Sequence, residues 1–397
     1  MADRPQTTAS AGARYAVYVA GISSLGIVPM SSVVVPLWAV DIGTPPVLMG
    51  LALGARSLLL VFFSIHGGAL IDRLGTRRMS ILAAGTAALV APLYPVLPTV
   101  AALIALQLVL GFVQGLAWMS AQTRIALLAK GDSSIIGRFT FVSTLGNVIG
   151  PPAVGAAWDV YGATGAFAVI GVTAGAGFLA AFAFPRGAAA GGGQSAGMRA
   201  LLPRGRDYVE AFQLALMPAI GFVVACSFLT TAIYNVRHSF YTVYLDAVGF
   251  SGIEIGILFG AGSLVASLAG LAVGPISRRI PARQMLLVTV AGAAIGIAAT
   301  PLFEDFFSLL VLACFWGVNA GLSFPLILLV LARSVRPEQQ GISVGVRTTV
   351  NRSAGFGVPL AMGAMIGVTS MLGAFLALGA GIVASVGIIA VASRRMK

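Results

Sequence analysis

Long apolar runs, separated by short polar connections, repeat along the whole chain. Most of these runs reach the roughly 20 residues that a helix needs to cross the hydrocarbon core of a bilayer. The sequence therefore predicts an all-α integral membrane protein with about twelve transmembrane helices. The predicted spans are 14–38, 46–70, 79–98, 101–124, 138–158, 164–185, 212–245, 252–275, 284–302, 306–332, 341–366 and 371–392.

The composition fits a protein whose solvent is largely lipid. Of the 397 residues, 58% are hydrophobic and only 9% are charged, which leaves too little polar surface for a globule in water. The polar start at 1–13 lacks the order of a cleaved signal peptide, so we expect the first span to remain as a membrane helix.

The positive charges are distributed unevenly along the chain. The net charge of +12 would favour nucleic-acid binding in a soluble protein. Here, however, the basic residues gather in alternate connections and at both ends, while the other connections carry only acids such as Asp41 and Asp159. This asymmetry predicts that both termini are cytoplasmic in a multi-pass protein of the inner membrane, and it argues against a nucleic-acid partner.

The segment 186–208 interrupts the pattern between the sixth and seventh apolar runs. It is rich in glycine and alanine, a composition typical of flexible linkers. We therefore expect an N-terminal six-helix bundle at 1–185, a cytoplasmic linker at 186–208 and a C-terminal six-helix bundle at 209–397.

The two halves share a spacing of glycines and arginines. Six residues of the first half recur in the second at one shift of 206 positions (for example 274 − 68). A repeat of this size in a membrane protein implies two bundles about a pseudo-two-fold axis, with a substrate site between them near the midplane. The pairs are Gly43/Gly249, Gly50/Gly256, Gly54/Gly260, Gly68/Gly274, Arg73/Arg279 and Arg77/Arg283.

The connection after the second span reads G-A-L-I-D-R-L-G-T-R-R at 68–78. It closely resembles the signature loop of the major facilitator superfamily, G-x-L-x-D-R-x-G-x-R-R. The resemblance implies a secondary transporter with the two-bundle fold of that superfamily. It also implies a gating role, because the loop acid in that family contacts the facing bundle and helps to hold the outward-facing state. The gating residues would be Gly68, Asp72, Arg73, Gly75, Arg77 and Arg78.

A short basic turn of this kind also marks the cytoplasmic face, so a topology signal alone is the alternative interpretation. The copy of the loop at 274–283 has Arg278 in place of the acid. We therefore expect that copy to be structural.

The fifth span carries closely spaced glycines and prolines. Gly146, Gly150, Pro151 and Gly155 resemble the glycine-and-proline motif of the superfamily's antiporters. Small residues allow two helices to approach closely, so we interpret these four first as helix-packing residues and second as a sign of exchange. The arginine that precedes x-x-Q-G in the fourth span of proton-coupled drug exporters is absent before Gln114.

Four arginines lie inside the predicted spans. Such a residue costs several kcal/mol at mid-depth and normally faces a wet cavity or a partner. All twelve acidic residues can be assigned to connections or span ends, so none is available as a counter-ion at mid-depth. We therefore predict an electropositive cavity in which Arg56 and Arg352, from opposite halves, hold a carboxylate or phosphate. For the remaining two, Arg237 is a further candidate, whereas snorkelling to the interface explains Arg347 equally well.

Polar and aromatic residues in mid-span positions complete the predicted substrate site, although such residues also commonly form contacts between helices. His238 is the candidate for proton coupling, but the neighbouring Arg237 disfavours its protonation. Substrate exchange, or symport in which the anion brings the proton, fits the sequence equally well. The additional candidates are Asn351, Tyr234, Asn235, Tyr241, Gln114 and Asn319.

The leading functional hypothesis is a secondary transporter of a small organic anion that works by alternating access. The alternative is a proton-coupled multidrug or metabolite efflux antiporter. With two histidines and no catalytic or nucleotide-binding motif, the sequence predicts no enzyme, pump, cofactor or metal. A sensor of carrier fold, or a channel, fits the repeat less well. The expected partners are a small molecule and membrane lipid, and we expect a monomer.

Overall fold

A computed structural model describes residues 11–129, 132–184, 218–334 and 340–394. Within these ranges the secondary structure is helical, joined by short turns, and contains no strand. The predicted linker at 186–208 lies outside the described residues. The all-α class predicted from the apolar runs is confirmed.

The first half consists of four long helices and one short one. A glycine with positive φ interrupts two of them, at Gly75 (φ 78°) and Gly162 (φ 62°). Glycine adopts this backbone conformation without the steric cost that other residues meet, so each break divides one long helix into two spans. The helices are α1 (Ala11–Asp41), α2 (Pro46–Val90), α3 (Leu93–Val96), α4 (Val100–Ala129) and α5 (Ser133–Phe182).

The second half differs from the prediction at its first span, which is broken after Arg237 and resumes at Phe240. Ser239 Oγ donates to the carbonyl of Asn235 at 2.6 Å, a local bond that competes with continuation of the helix. The helices are α6 (Pro218–Arg237), α7 (Phe240–Val248), α8 (Gly252–Leu271), α9 (Val273–Ser277), α10 (Ala282–Ala298), α11 (Phe306–Ser334), α12 (Gln340–Val368) and α13 (Met371–Arg394), with a 3₁₀ turn at Thr300–Leu302.

Nine segments of the described chain are long and apolar enough to cross a membrane. One of these segments runs through the break at Gly162 and supplies two spans. The shorter apolar helix α10 and the more polar α12 add one span each. The twelve predicted spans are thus all represented by helices.

The two halves meet along two pairs of helices, α2 with α12 and α5 with α8. On α2, Gly50 and Gly54 lie against the backbone at Pro359 and Phe356 of α12. On α8, the residues 206 positions later, Gly256 and Gly260, lie against the backbone of α5 at 148–152 in the same way. Each interface is therefore the pseudo-symmetric copy of the other, as the glycine repeat predicted.

These contacts cluster toward one end of the molecule, which also carries the connections at 42–45, 249–251 and 369–370. We call it the closed end. The close contacts between the bundles therefore lie at one end of the membrane-spanning region.

Candidate functional site

Arg56 and Arg352 lie next to the α2–α12 contact. Ser57, which follows Arg56, packs against Gly355, one helical turn beyond Arg352. Both arginines are partly buried, and their guanidinium groups are close enough to repel each other electrostatically. Neither forms an ion pair with any described residue. The structure thus brings together the two arginines that the sequence proposed as a clamp, and leaves their charges uncompensated by a described carboxylate.

Tyr234 and His238 lie beside this pair. The two rings stack with centroids 3.9 Å apart and an interplanar angle of 28°. Tyr234 keeps 40% of its surface exposed although it lies inside a span, and both side chains are within electrostatic range of Arg56. Arg56, Arg352, Tyr234 and His238 therefore form one group, which we call the central group.

The two asparagines lie at the edge of the central group. Asn351 accepts a hydrogen bond from Ser227 Oγ at 3.0 Å and so joins α12 to α6. Asn235 donates to the carbonyl of Thr231 at 2.7 Å, and its Oδ1 faces Gly355. The Asn351 amide thus joins two helices and the Asn235 amide bonds within its own helix, while each keeps part of its surface accessible.

Arg237 is buried inside the C-terminal bundle, with 2% of its surface exposed, next to His238 of the central group, whose ring lies 5.5 Å from that of Phe259. Its guanidinium donates to the carbonyl of Leu258 at 3.0 Å. Three aromatic rings surround the guanidinium carbon, with centroids at 4.2 Å (Trp316), 4.9 Å (Phe259) and 5.0 Å (Tyr241). We call this arrangement the aromatic cage. Its cation–π contacts stabilise the buried charge.

Three further predicted residues lie outside the central group. Gln114 is buried and lines a cavity of about 20 Å³ inside the N-terminal bundle. Asn319 is buried against Gly292, between α10 and α11, where its amide donates to the carbonyl of Phe315. Tyr241 belongs to the aromatic cage. These three residues were predicted for the site because they are polar or aromatic and lie within spans. Position within a span does not show which side of the helix faces the opposite bundle.

Arg347 stays partly exposed on α12, and its guanidinium lies over the ring of Phe324 at 5.9 Å. It lies further than Arg352 from the closed end, on the course of α12 toward the opposite end.

The predicted gating loop is described in part. Gly75 provides the break in α2. Arg77 donates to the carbonyl of Phe182 at 3.2 Å and lies over its ring at 5.8 Å, so it ties α2 to the end of α5 within the same bundle. Arg78 is exposed. The side chains of Asp72 and Arg73, and the surroundings of Gly68, lie outside the described part.

The glycines of α5 lie in tight contacts on two sides. Gly146 faces Gly26 of α1, where an added Cβ would lie 3.0 Å from the Gly26 Cα, and Gly150 faces Met30. Pro151 and Gly155 lie against the glycines of α8 across the bundle interface. This arrangement leaves no room for larger side chains at Gly146 or Gly155.

Sequence reasoning missed a contact at the closed end. The Asp159 carboxylate, on α5, accepts hydrogen bonds from the backbone N–H groups of Gly252 (2.7 Å) and Ile253 (2.8 Å) at the start of α8. A carboxylate at a helix N-terminus satisfies free donors and complements the helix dipole. Asp159 thereby fastens one bundle to the other. The only signal in the sequence was an acid at a span end.

A second contact across the closed end joins α1 to the break between α6 and α7. Ser32 Oγ and His238 Nδ1 are hydrogen-bonded at 2.7 Å, and Thr242 Oγ1 donates to the carbonyl of Ser32 at 2.8 Å. His238 therefore belongs both to the central group and to the closed end.

Comparisons with known proteins agree with this architecture. The sequence model of the Major Facilitator Superfamily matches residues 17–359. The fold resembles that of a mutant form of the nucleoside transporter NupG, with a TM-score of 0.83 at 12% identity over 96% of this chain and 99% of that one.

Two further solved structures share the fold at low identity. A POT family transporter in complex with a thioalcohol-conjugated peptide gives a TM-score of 0.73 at 14% identity, covering 97% of this chain and 96% of the other. A bacterial homolog of the human lysosomal transporter Spinster, inward-facing and unoccupied, gives 0.66 at 17% identity with the same coverage. No curated protein sequence matches. The chain belongs to the major facilitator superfamily and is a secondary transporter rather than an enzyme.

Proposed function

We propose that this transporter moves a small organic anion across the membrane by alternating access. The observation that carries the proposal is the convergence of Arg56 and Arg352, from opposite bundles, at the end of the α2–α12 contact. Two guanidinium groups that repel each other with no described carboxylate between them are stabilised by a bound anion. An anion held by both arginines also joins the two bundles, which couples its binding to their relative movement.

The distribution of contacts supports a conformational assignment. If the basic connections are cytoplasmic, as we propose from the positive-inside rule, the closed end faces away from the cytoplasm. The protein is then in an inward-facing state, with the central group accessible from the cytoplasm. Asp159, Ser32 and the glycines of α2 and α8 form the gate that keeps the other side closed.

The remaining assignments follow from the same account. We propose an inner-membrane protein with both termini cytoplasmic, an N-terminal bundle at 1–185, a cytoplasmic linker at 186–208 and a C-terminal bundle at 209–397. Asp72 and its neighbours at 68–78 would then hold the outward-facing state, opposite in effect to Asp159. We propose that the monomer is the functional unit.

A proton-coupled multidrug or metabolite efflux antiporter is the second candidate. The position of His238 favours it, because this titratable side chain contacts Ser32 across the interface and Tyr234 in the central group. Protonation there would change a contact that differs between the two states of the cycle. Cationic or neutral substrates would distinguish this function from anion transport.

Charge movement in proteoliposomes tests the proposal. Rapid concentration jumps of small carboxylates, organic phosphates, lipophilic cations and neutral drugs are applied to reconstituted protein on a solid-supported membrane. We expect currents for anions in the wild type and their loss in Arg56→Gln and Arg352→Gln. Currents for cations alone, unchanged in both variants, would contradict anion transport and favour the efflux function.

A further inference from the structure

A second electropositive site lies far from the central group, between the first turns of α1 and α5. Here a cleft of about 640 Å³ opens between the two helices. Arg14 and Arg138 lie on its two sides, together with Tyr15 and Tyr18 of α1 and Phe141 of α5.

The two arginines of this cleft have no compensating charge among the described residues. Neither forms an ion pair there, and Arg138 is exposed. The nearest acid along α5, Asp132, already accepts the backbone N–H of Ser134 at 2.8 Å and caps its own helix. The cleft therefore offers guanidinium donors from two different helices to an anionic group.

After Arg138, α5 exposes a series of large apolar side chains. Phe141 (68% exposed), Leu145 and Ile149 (62% exposed) follow at intervals of four residues, so they form one stripe along the helix. The stripe covers about 12 Å of helix length at 1.5 Å per residue. The stripe begins where the two arginines lie.

The two arginines, with two tyrosines beside them, suit an anionic headgroup. The apolar stripe beside them suits an acyl chain, so the features together match one lipid molecule. We propose that this cleft binds an anionic phospholipid, with its phosphate between Arg14 and Arg138 and an acyl chain along Phe141, Leu145 and Ile149. A free phosphate would use only the arginines, and a zwitterionic lipid would bring its own cation to the same place.

Thermal unfolding of the full-length protein in neutral detergent tests the site. Dioleoyl phosphatidylglycerol, dioleoyl phosphatidylcholine and inorganic phosphate are added separately, and the shift in Tm is measured for each. We expect phosphatidylglycerol to raise Tm of the wild type more than the other two do. The double variant Arg14→Gln/Arg138→Gln should lose this difference. The matched control Arg278→Gln/Arg279→Gln removes the same charge from exposed positions and should keep it.

Three results would overturn the proposal: an equal shift with phosphatidylcholine, an equal shift with inorganic phosphate, or an unchanged phosphatidylglycerol shift in the Arg14/Arg138 variant. If that variant does not fold, Phe141→Gln keeps both arginines and interrupts the stripe. Its phosphatidylglycerol shift should fall, and native mass spectrometry should detect less bound lipid than on the wild type. Retention of both the shift and the bound lipid would contradict the proposed acyl-chain contact.

Discussion

Ser32 and His238 are separated by 206 positions, the shift of the internal repeat, and they are hydrogen-bonded to each other at 2.7 Å. Two equivalent positions can touch only where the pseudo-two-fold axis passes between them. The contact therefore marks the axis at the closed end. The same imidazole stacks on Tyr234, so His238 links the axis to the central group.

His238→Phe keeps a ring beside Tyr234 but removes both the hydrogen bond and the titratable nitrogen. If His238 carries the coupled proton, we expect the pH dependence of transport to disappear in this variant. Ser32→Ala removes the same hydrogen bond and leaves the imidazole, so it should retain a pH-dependent rate. The measurement is initial uptake or efflux in proteoliposomes across a range of pH. Identical pH profiles in both variants and the wild type would exclude His238 as the coupling group.

Asp159→Asn should weaken the closed end. The amide offers one acceptor to the N–H groups of Gly252 and Ile253 instead of two, and it removes a charge from the α8 N-terminus. The lost interaction is on the order of 1 to 2 kcal/mol, which shifts the equilibrium between the states roughly tenfold. Spin labels at Leu97 and Val368, exposed in opposite bundles at this end, report the change as a longer distance.

The matched control for that variant is Asp305→Asn. Asp305 also accepts a helix N-terminal N–H, that of Ser308 at 2.8 Å, but within its own bundle. Its loss should leave the distance distribution unchanged. An equal effect of both substitutions would mean that Asp159 acts through general helix stability and not through the contact between bundles.

The fastening by Asp159 has no copy on the symmetric side, and the sequence supplies the reason. Gly155 of α5 and Gly363 of α12 occupy equivalent positions at the two interfaces and are 208 positions apart (363 − 155). At the same shift, the residue equivalent to Asp159 is Gly367. The residue equivalent to Gly252 is Pro46, which has no N–H to donate. A carboxylate at 367 would find fewer donors than Asp159 does.

Gly54→Ala and Gly260→Ala should each disfavour the closed end. A Cβ at Gly54 would lie 2.6 Å from the Phe356 carbonyl oxygen, and a Cβ at Gly260 would lie 2.6 Å from that of Val148. Because these obstacles are backbone atoms, whole helices must shift, at a cost of roughly 1 to 3 kcal/mol. Gly175→Ala, which meets no atom within 4 Å, is the control. The Leu97/Val368 distance again measures the effect. An unchanged distance in both interface variants would contradict the close packing of the bundles at Gly54 and Gly260.

Arg237→Met should lower stability without abolishing substrate affinity. The substitution removes three cation–π contacts and leaves the Leu258 carbonyl without its guanidinium donor. The expected loss is on the order of 1 to 3 kcal/mol. Thermal unfolding measures the loss, and ligand binding to the folded fraction provides the second readout. Loss of binding at unchanged stability would return Arg237 to the substrate site.

The helical spans could be predicted from the sequence because apolar length is a property of single segments. The repeat likewise predicted two bundles about a pseudo-two-fold axis, and four of its glycines, Gly50, Gly54, Gly256 and Gly260, lie where the bundles meet. Gly43 and Gly249, one of the repeated pairs, both adopt positive φ at helix ends.

The rotation of each helix could not be predicted in the same way. Arg56 and Arg352 were identified by their lack of acidic partners, which can be recognised in the sequence without knowing how each helix is rotated. Arg237 gives the same signal, but its partners are aromatic rings on α7, α8 and α11, which only packing brings together. Asp159 was overlooked because its partners are backbone N–H groups, which every sequence contains.

Anion binding at Arg56 and Arg352 tests the central claim most directly. Thermal stability of the purified protein is followed against a panel of small carboxylates, organic phosphates and cations, with Arg279→Gln as an exposed control of equal charge change. We predict that some anions stabilise the wild type and the control, and that Arg56→Gln and Arg352→Gln each weaken binding on the order of 10- to 100-fold, the effect of one charged hydrogen bond. Stabilisation by cations or neutral drugs alone, or anion binding unchanged in both variants, would contradict the account.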